Sequence, residues 1–258
     1  MVREQALTIH DLSPLEHPEW FRASFSFWYR LFLPILAKRV RVIFTPSEYM
    51  RRKITARIGV NNVLSVPSGV NHEMFHPEVS QSTCELPKRY VLFVGSLEPR
   101  KNLPLLLKAW NEIYSEFPDV TLLIVGASGR IFRSVDFQHI PPQTRFLGYV
   151  EKELPLLYAN AELFALPSLE EGFGLPALEA MACGTAVVVS NGGALPEVVG
   201  DAGLIFNLAD SAALTKALKT CLRDKDLRRL LREKGLARAQ QFSWHVTAHI
   251  IWQTLNEL

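Results

Sequence analysis

Glu170-Glu171-Gly172-Phe173-Gly174-Leu175-Pro176-Ala177-Leu178-Glu179-Ala180-Met181-Ala182-Cys183-Gly184 is the stretch on which the reading of this chain turns. It sets two carboxylates, Glu171 and Glu179, eight positions apart across a glycine-rich turn that runs into a helix start. Gly172 and Gly174 allow backbone conformations closed to other residues and let the chain approach a ligand closely. Pro176 suits the first turn of a helix, where its missing N–H costs nothing. The free N–H groups of such a start, at the positive end of the helix dipole, form an anion site. Glu171 precedes the turn and Glu179 lies about one to two turns into the helix, so the pair reaches different parts of one ligand. An anion flanked by two hydroxyl-binding carboxylates describes a sugar nucleotide. The competing reading is an ordinary loop-to-helix junction with surface acids, and the surrounding segments must decide.

Downstream of residue 89 the pattern is regular. Strands are expected over 90–94, 121–125, 144–147, 163–166, 186–190 and 203–206. Helices are expected over 103–117, 152–158, 176–183, 195–199, 211–221, 227–241 and 244–258. Strands alternating with helices and rich in apolar β-branched residues imply an α/β fold with a parallel sheet covered on both faces. Such sheets bind ligands beyond the carboxyl ends of their strands. Residues 95–102, 126–129, 148–150, 168–174 and 191–193 all leave strand ends and converge on one site. Upstream, strands are expected over 6–10, 40–44 and 62–66. A helix rich in aromatics is expected over 20–38, ended or kinked by Pro34. Ser47 is an N-cap for a basic helix reaching about residue 58. Residues 72–88 lack periodicity and read as a linker.

Composition sets outer bounds. With 258 residues, 48% hydrophobic and 21% charged, the chain holds one large or two modest globular domains. A net charge of +2 argues against a nucleic-acid role. The basic residues nevertheless crowd between Arg22 and Arg57. Cys84, Cys183 and Cys221 have no metal-ligand spacing and read as free thiols of a reducing compartment. No apolar run reaches the roughly 20 residues needed to span a bilayer, and no signal-peptide pattern opens the sequence. These features place the chain in the cytoplasm, with peripheral contact at the inner membrane face as an added expectation.

The Glu171-to-Glu179 string, taken with the segments upstream, resembles the Glu-(seven residues)-Glu signature of retaining glycosyltransferases of the two-Rossmann-domain (GT-B) type, sequence family 4. The resemblance runs from His10 onward and is densest between residues 90 and 203. It implies a GT-B architecture in which residues 89–242 form a complete Rossmann-like donor domain behind a linker at 71–88. Residues 1–70 would be part of the N-terminal acceptor-side domain, and the helix at 243–258 would cross back onto it. About half of that acceptor domain is expected to be missing, to be supplied by a partner if the chain is not a fragment.

Individual residues follow from the same likeness. Val91-Leu92-Phe93-Val94-Gly95-Ser96-Leu97-Glu98-Pro99-Arg100-Lys101-Asn102 is a strand, a glycine turn, two cations and a helix start. Cations there would stabilise a departing nucleoside diphosphate, and a solvated charged loop is the plain alternative. The segment resembles the family's phosphate loop, with Lys101 at its diphosphate-binding lysine, Gly95 at the turn and Ser96 where many members carry arginine. Arg100 is the substitute cation. His10, in Thr8-Ile9-His10-Asp11-Leu12, resembles the family's acceptor-domain histidine and would face the transferred sugar. A lone histidine is more often structural. By the resemblance Glu179 accepts hydrogen bonds from the ribose hydroxyls, and Glu171 approaches the donor sugar. Gly172, Phe173, Gly174 and Leu175 line the donor with backbone, and Tyr149 and Val150 contact the base. The implied reaction is a front-face displacement in which the diphosphate helps deprotonate the acceptor. His10, Lys101 and Glu171 are thus the expected catalytic residues, with no metal and no cofactor. Ser47 matches a family serine, and the helix cap is its competing and preferred reading. Glu170 reads as a bystander. Asp224-Lys225-Asp226 reads as solvent-exposed rather than metal-binding.

The implied activity is transfer of a hexose, with mannose favoured by Gly95 to Asn102, from a nucleoside-diphosphate sugar to a glycan or lipid-linked acceptor. Trp20, Phe21, Phe25, Phe27, Trp28, Tyr29, Phe32 and Leu33 beside the basic run suggest a membrane or lipid contact. Packing on the N-terminal sheet is the competing account. Two other functions stay open: a donor-binding subunit idle without a partner, and a nucleotide-sugar epimerase.

Overall fold

A computed structural model of the chain describes residues 5–78, 86–129, 131–132, 137 and 139–258. Cys84 and the middle of the expected linker lie outside the described residues. Two parallel sheets organise the rest.

In the smaller sheet β1 (Ala6–Thr8), β2 (Val42–Thr45) and β3 (Val63–Ser65) pair in that order, with Leu7 opposite Ile43 and Phe44 opposite Leu64. Alternation of side chains along β2 splits its residues between two faces. Ile43 enters a cluster with Ile9, Leu12, Leu33, Met50 and Ile54. That face is covered by α1 (Ser13–Glu16), α2 (Ala23–Ala37) and α3 (Glu48–Ile58). Val42 and Phe44 join Val66 on the other face, where Ile250, Ile251 and Leu258 from the C-terminal end of the chain cover them.

Helix α2 departs from expectation at both ends. It starts at Ala23, because Phe21 and Arg22 are extended and tied to a loop of the larger sheet: Arg22 N donates to the Ile131 carbonyl at 2.9 Å. Nor does it end at Pro34, but runs to Ala37. The carbonyl of Arg30, which Pro34 leaves without an N–H partner, belongs to an exposed residue and can turn to water.

The larger sheet comprises β4 (Tyr90–Val94), β5 (Thr121–Val125), β6 (Thr144–Gly148), β7 (Leu163–Leu166), β8 (Val187–Ser190) and β9 (Gly203–Phe206). Their order is β6-β5-β4-β7-β8-β9, all parallel. Strands β4, β7 and β8 are buried along their whole length, as a sheet flanked by helices requires. The helices are α4 (Leu103–Asn111), α5 (Leu154–Ala159), α6 (Leu175–Ala182), α7 (Leu195–Val199), α8 (Ala213–Arg223) and α9 (Lys225–Ala239), and α10 (Trp244–Asn256) then carries Ile250 and Ile251 back to the smaller sheet. The helix expected over 103–117 stops at Asn111, since Ile113 leaves helical angles (φ −126°) and turns, fully buried, into the core. No helix among the described residues is long and apolar enough to cross a membrane.

The strand order decides where a ligand goes. The chain builds from β4 outward to β6, then returns to lay β7 against the other side of β4 and builds outward to β9. The reversal between β4 and β7 opens a crevice beyond their carboxyl ends, the general ligand position of such sheets. The two segments singled out in the sequence, after Val94 and after Leu166, leave from those two strand ends.

Candidate functional site

Both segments meet in one buried ion cluster. After β4 the chain makes a short 3-10 turn, Pro99–Lys101, and Asn102 closes it in the left-handed region (φ 52°), which asparagine tolerates better than most residues. The Asn102 side chain donates to the Pro167 carbonyl at 3.1 Å and so fixes the turn to the end of β7. Lys101 lies back across Gly95: a side-chain carbon placed on that glycine would stand 3.3 Å from the lysine stem. Its Nζ reaches Glu171 Oε1 at 2.7 Å. Arg100 donates to Glu171 Oε2 at 2.6 Å, to the Glu170 carbonyl at 3.1 Å and to Glu98 Oε1 at 2.7 Å. Ser168 adds a bond to Glu171 Oε1 at 2.7 Å.

Burial alone would raise the Glu171 carboxyl, but Lys101 and Arg100 outweigh it and hold the group well below its ordinary value. Glu171 is therefore an anion whose two oxygens already accept three bonds. In this arrangement it is the counter-ion that positions both cations. Burial works to lower Arg100, and Glu171, Glu98 and Asp11 more than offset it, so the guanidinium stays charged. Glu98 is pushed the other way: burial raises its carboxyl despite both cations, and its Oε2 is buried without a partner.

Helix α6 begins directly beyond this cluster. Gly174 caps it at φ 106°, a conformation that a side chain would strain. Among the described residues the backbone N–H groups from Gly172 to Leu175 have no acceptor, leaving a row of donors at the helix start. The Phe173 side chain is buried against Phe242, with ring centroids 5.7 Å apart, so only its backbone serves this row. Glu179 follows on the second turn. It accepts a bond from the Tyr158 hydroxyl at 2.9 Å. Burial lifts the Glu179 carboxyl to about 7, against the lowering pull of Tyr158 and Lys101.

Beside the cluster, Gly95, Ser96, Val125, Gly126, Tyr149 and Val150 line one cavity of 550 Å³. Tyr149 is largely exposed at its mouth, and Val150 packs on the core. The residues expected to hold the donor thus fall together at the switch point: Gly95, Ser96, Tyr149 and Val150 around the cavity, then Arg100, Lys101, Glu171, the turn from Gly172 to Leu175, and Glu179.

His10 comes from the other sheet. Its backbone abuts the glycine turn so closely that a side-chain carbon on Gly172 would stand 2.1 Å from the His10 carbonyl oxygen, while the residue itself is exposed. Ser47 holds the same junction. It caps α3 by accepting from Met50 N at 3.1 Å and donates to the Gly172 carbonyl at 2.7 Å, so capping and bridging coexist.

Several partners had no sequence signal. Glu170 is no bystander: it pairs at 2.5 Å with Lys53, which also binds Glu16, tying the two sheets together. Glu197 of α7 accepts from the N–H groups of Glu48 (2.8 Å) and Tyr49 (2.9 Å) at the start of α3. Ser168 could have been found from its place three residues before Glu171 at the end of β7. Tyr158 could not. Asp224 is exposed and caps α9 through the Leu227 N–H at 2.8 Å. Cys183 and Cys221 are buried free thiols. Among the described residues no group of three or more His, Cys, Asp or Glu side chains is gathered as a metal site.

A parallel switch-point crevice holding paired cations, a donor row and a lone carboxylate on a helix is the class of site expected of a nucleotide-sugar-binding GT-B frame. The comparisons agree with that class. Residues 77–238 match the family Glycosyl transferases group 1, and the chain belongs to it. The O-antigen chain mannosyltransferase B of Escherichia coli is 33% identical over 266 residues, covering 96% of this chain and 68% of that protein. The serotype-specific mannosyltransferase WbdA of the same species is 33% identical over 268 residues, covering 96% of this chain but only 33% of its own length. The chain thus spans 68% of the first relative and 33% of the second. Among solved structures, a sucrose-phosphate synthase from Thermosynechococcus elongatus superposes with a TM-score of 0.79 at 25% identity, covering 98% of this chain and 67% of that one. Anabaena HepE, solved with UDP-glucose, gives 0.79 at 20% identity over 99% of this chain and 73% of its own, a likeness of fold.

Proposed function

We propose that this chain is the donor-binding and part of the acceptor-binding portion of a retaining glycosyltransferase, moving a hexose from a nucleoside-diphosphate sugar to a glycan or lipid-linked acceptor. Mannose is the preferred hexose, in line with the mannosyltransferase relatives, and polysaccharide assembly is the setting their names suggest. The observation that carries the reading is the Lys101–Arg100–Glu171 cluster beside the unpartnered N–H row from Gly172 to Leu175. The diphosphate lies on that row and against the two cations, the ribose on Glu179, and the base in the cavity beside Tyr149 and Val150.

Transfer breaks the bond between the sugar's anomeric carbon and the diphosphate and forms one to the acceptor oxygen, whose proton passes to the diphosphate. The cations and the helix start take up the charge that develops on the leaving group, so the reading assigns no metal and no cofactor. Full engagement of Glu171 by three donors supports a positioning and charge-balancing part for it over a nucleophilic one. His10 sits beside the turn and serves the transferred sugar. The test is titration of UDP-glucose and GDP-mannose into the purified chain, with Glu179→Ala as control. Binding of one donor, lost in the variant, is expected; no binding of either sinks the donor-site reading.

A second reading is favoured by β1. Its outer edge has no neighbour among the described residues, and Ala6 and Thr8 are exposed where strands of a covered parallel sheet are normally buried. Further polypeptide, continuous with this chain or separate, would pair there to complete the acceptor side. We place the protein in the cytoplasm, with the exposed face of α2 as a peripheral membrane contact.

A further inference from the structure

Tyr158 is fully buried on α5, on no strand end and in no glycine loop, yet its hydroxyl is aimed at Glu179. The ring is locked: it meets Phe164 and Phe75 edge-on, with centroids 5.6 and 6.0 Å away, and its backbone carbonyl accepts from the Thr185 hydroxyl at 2.5 Å. Only Oε2 of Glu179 receives this bond, and among the described residues Oε1 has no partner. A buried tyrosine in a rigid cage, fixing one oxygen of a carboxylate and leaving the other open, is what precise presentation of an acceptor pair needs.

We propose that Tyr158 is a positioning residue for donor recognition: its hydroxyl orients Glu179 and keeps it in the acceptor form that binds the ribose hydroxyls. The proposal rests on the ribose role given to Glu179 above. The groups facing Glu179 are few. Tyr158 comes from α5, Lys101 from the turn after β4, and Cys183, whose backbone partner is His76, from the same helix. Burial favours the neutral carboxyl, one of whose oxygens carries a proton and donates, which makes it a poorer acceptor for two hydroxyls. Tyr158 and Lys101 oppose that, and only Tyr158 does so by a direct bond. Removing the hydroxyl therefore leaves burial less opposed, and the carboxylate forms at higher pH.

The test is Tyr158→Phe, which keeps the ring and its packing. UDP and GDP are titrated calorimetrically between pH 5.5 and 8.5, together with their 2′,3′-dideoxy counterparts. For the ribonucleotide that binds, the variant should lose about tenfold in affinity at pH 7.5. The midpoint of its pH dependence should rise, the dideoxy nucleotide should show neither change, and kcat at saturating donor should hold. An unchanged midpoint in Tyr158→Phe, with pH dependence abolished in Glu179→Gln, overturns the proposal and leaves the ribose reading standing. If Glu179→Gln alters neither affinity nor its pH dependence, the ribose reading itself falls and takes the proposal with it.

Discussion

The two sheets obey different rules. In the six-stranded sheet the central strands are buried on both faces, and the functional groups sit at a switch point that the topology alone would locate. The three-stranded sheet ends in open edges at β1 and β3 among the described residues. Its β1 is exposed at the edge, and Phe27, Trp28, Leu31, Phe32, Ile35 and Leu36 of α2 face outward. On the proposed reading the donor-side groups lie within one covered sheet, whereas the small sheet leaves an edge and an apolar helix face uncovered. What joins them is largely polar: Lys53 with Glu170, Glu197 on the start of α3, Ser47 on Gly172 and Arg22 on the Ile131 carbonyl, with a Phe21–Phe132 ring contact beside the last. Replacements in the buried ion cluster should therefore cost folding and binding together, those at the junction chiefly transfer, and those on the small sheet's outer face neither.

The largest effect belongs to Glu171→Ala. It leaves Lys101 and Arg100 buried with unbalanced charge, a loss of about 3–5 kcal/mol in unfolding free energy by urea titration, with donor binding lost as well. Unchanged stability would show that the cluster is solvated and the contrast between the sheets false. Next comes Gly172→Ala. The added methyl would meet the His10 carbonyl and wedge the two sheets apart, lowering transfer on the order of a hundredfold and nucleotide affinity by much less, because only the first N–H of the row is displaced. Equal losses in both would mean that the turn serves the donor alone.

Glu179 gives a smaller, pH-dependent effect. Its folded value of about 7 lies above the ordinary carboxylate range, so the neutral form dominates below neutrality in the empty protein. Nucleotide affinity should rise with pH and level off above 7, falling about tenfold per unit below it. Stability carries the opposite sign. The cost of ionising a buried carboxyl is absent below the unfolded value and complete above about 7, so Glu179→Gln should raise ligand-free stability at pH 8 by roughly 1–3 kcal/mol and leave it unchanged at pH 4. A Glu179→Gln variant that is no more stable at pH 8 would place the carboxylate in water.

The grouping of the candidate site was largely legible because its signals are local. Glycines, cations and carboxylates at fixed offsets from strand ends announce themselves, and the strand order then brings Lys101 to Glu171. Glu170 and Glu197 escaped because their meaning lies in residues more than a hundred positions away on the other sheet. Tyr158 escaped for another reason: in an apolar helix a tyrosine reads as packing, and only the folded chain reveals where its hydroxyl points. The delayed start of α2 has the same origin, since the tie of Arg22 to Ile131 is tertiary and overrides a sequence that looks helical from residue 20.

The smallest effect on the fold should come from the outer face of α2, and there the comparison is sharpest. Ser26, Leu33 and Ala37 are the stripe that α2 buries, and the six large apolar residues lie around the opposite side of the helix. A helix apolar all round is normally enclosed. A neighbouring helix in the same layer would abut its flank rather than its far pole, whereas a lipid surface would meet the pole squarely. Exposed Arg30, Lys38 and Arg39 around the patch match an anionic headgroup layer. Replacing Trp28 and Phe32 together by serine should change unfolding free energy by less than about 1 kcal/mol, since neither side chain enters the core. The same change should abolish co-sedimentation with phosphatidylglycerol vesicles, and phosphatidylcholine vesicles should bind weakly even the parent chain. Equal binding to both lipids, or equal sedimentation of parent and variant, would remove the membrane from the account and return the face to a protein partner.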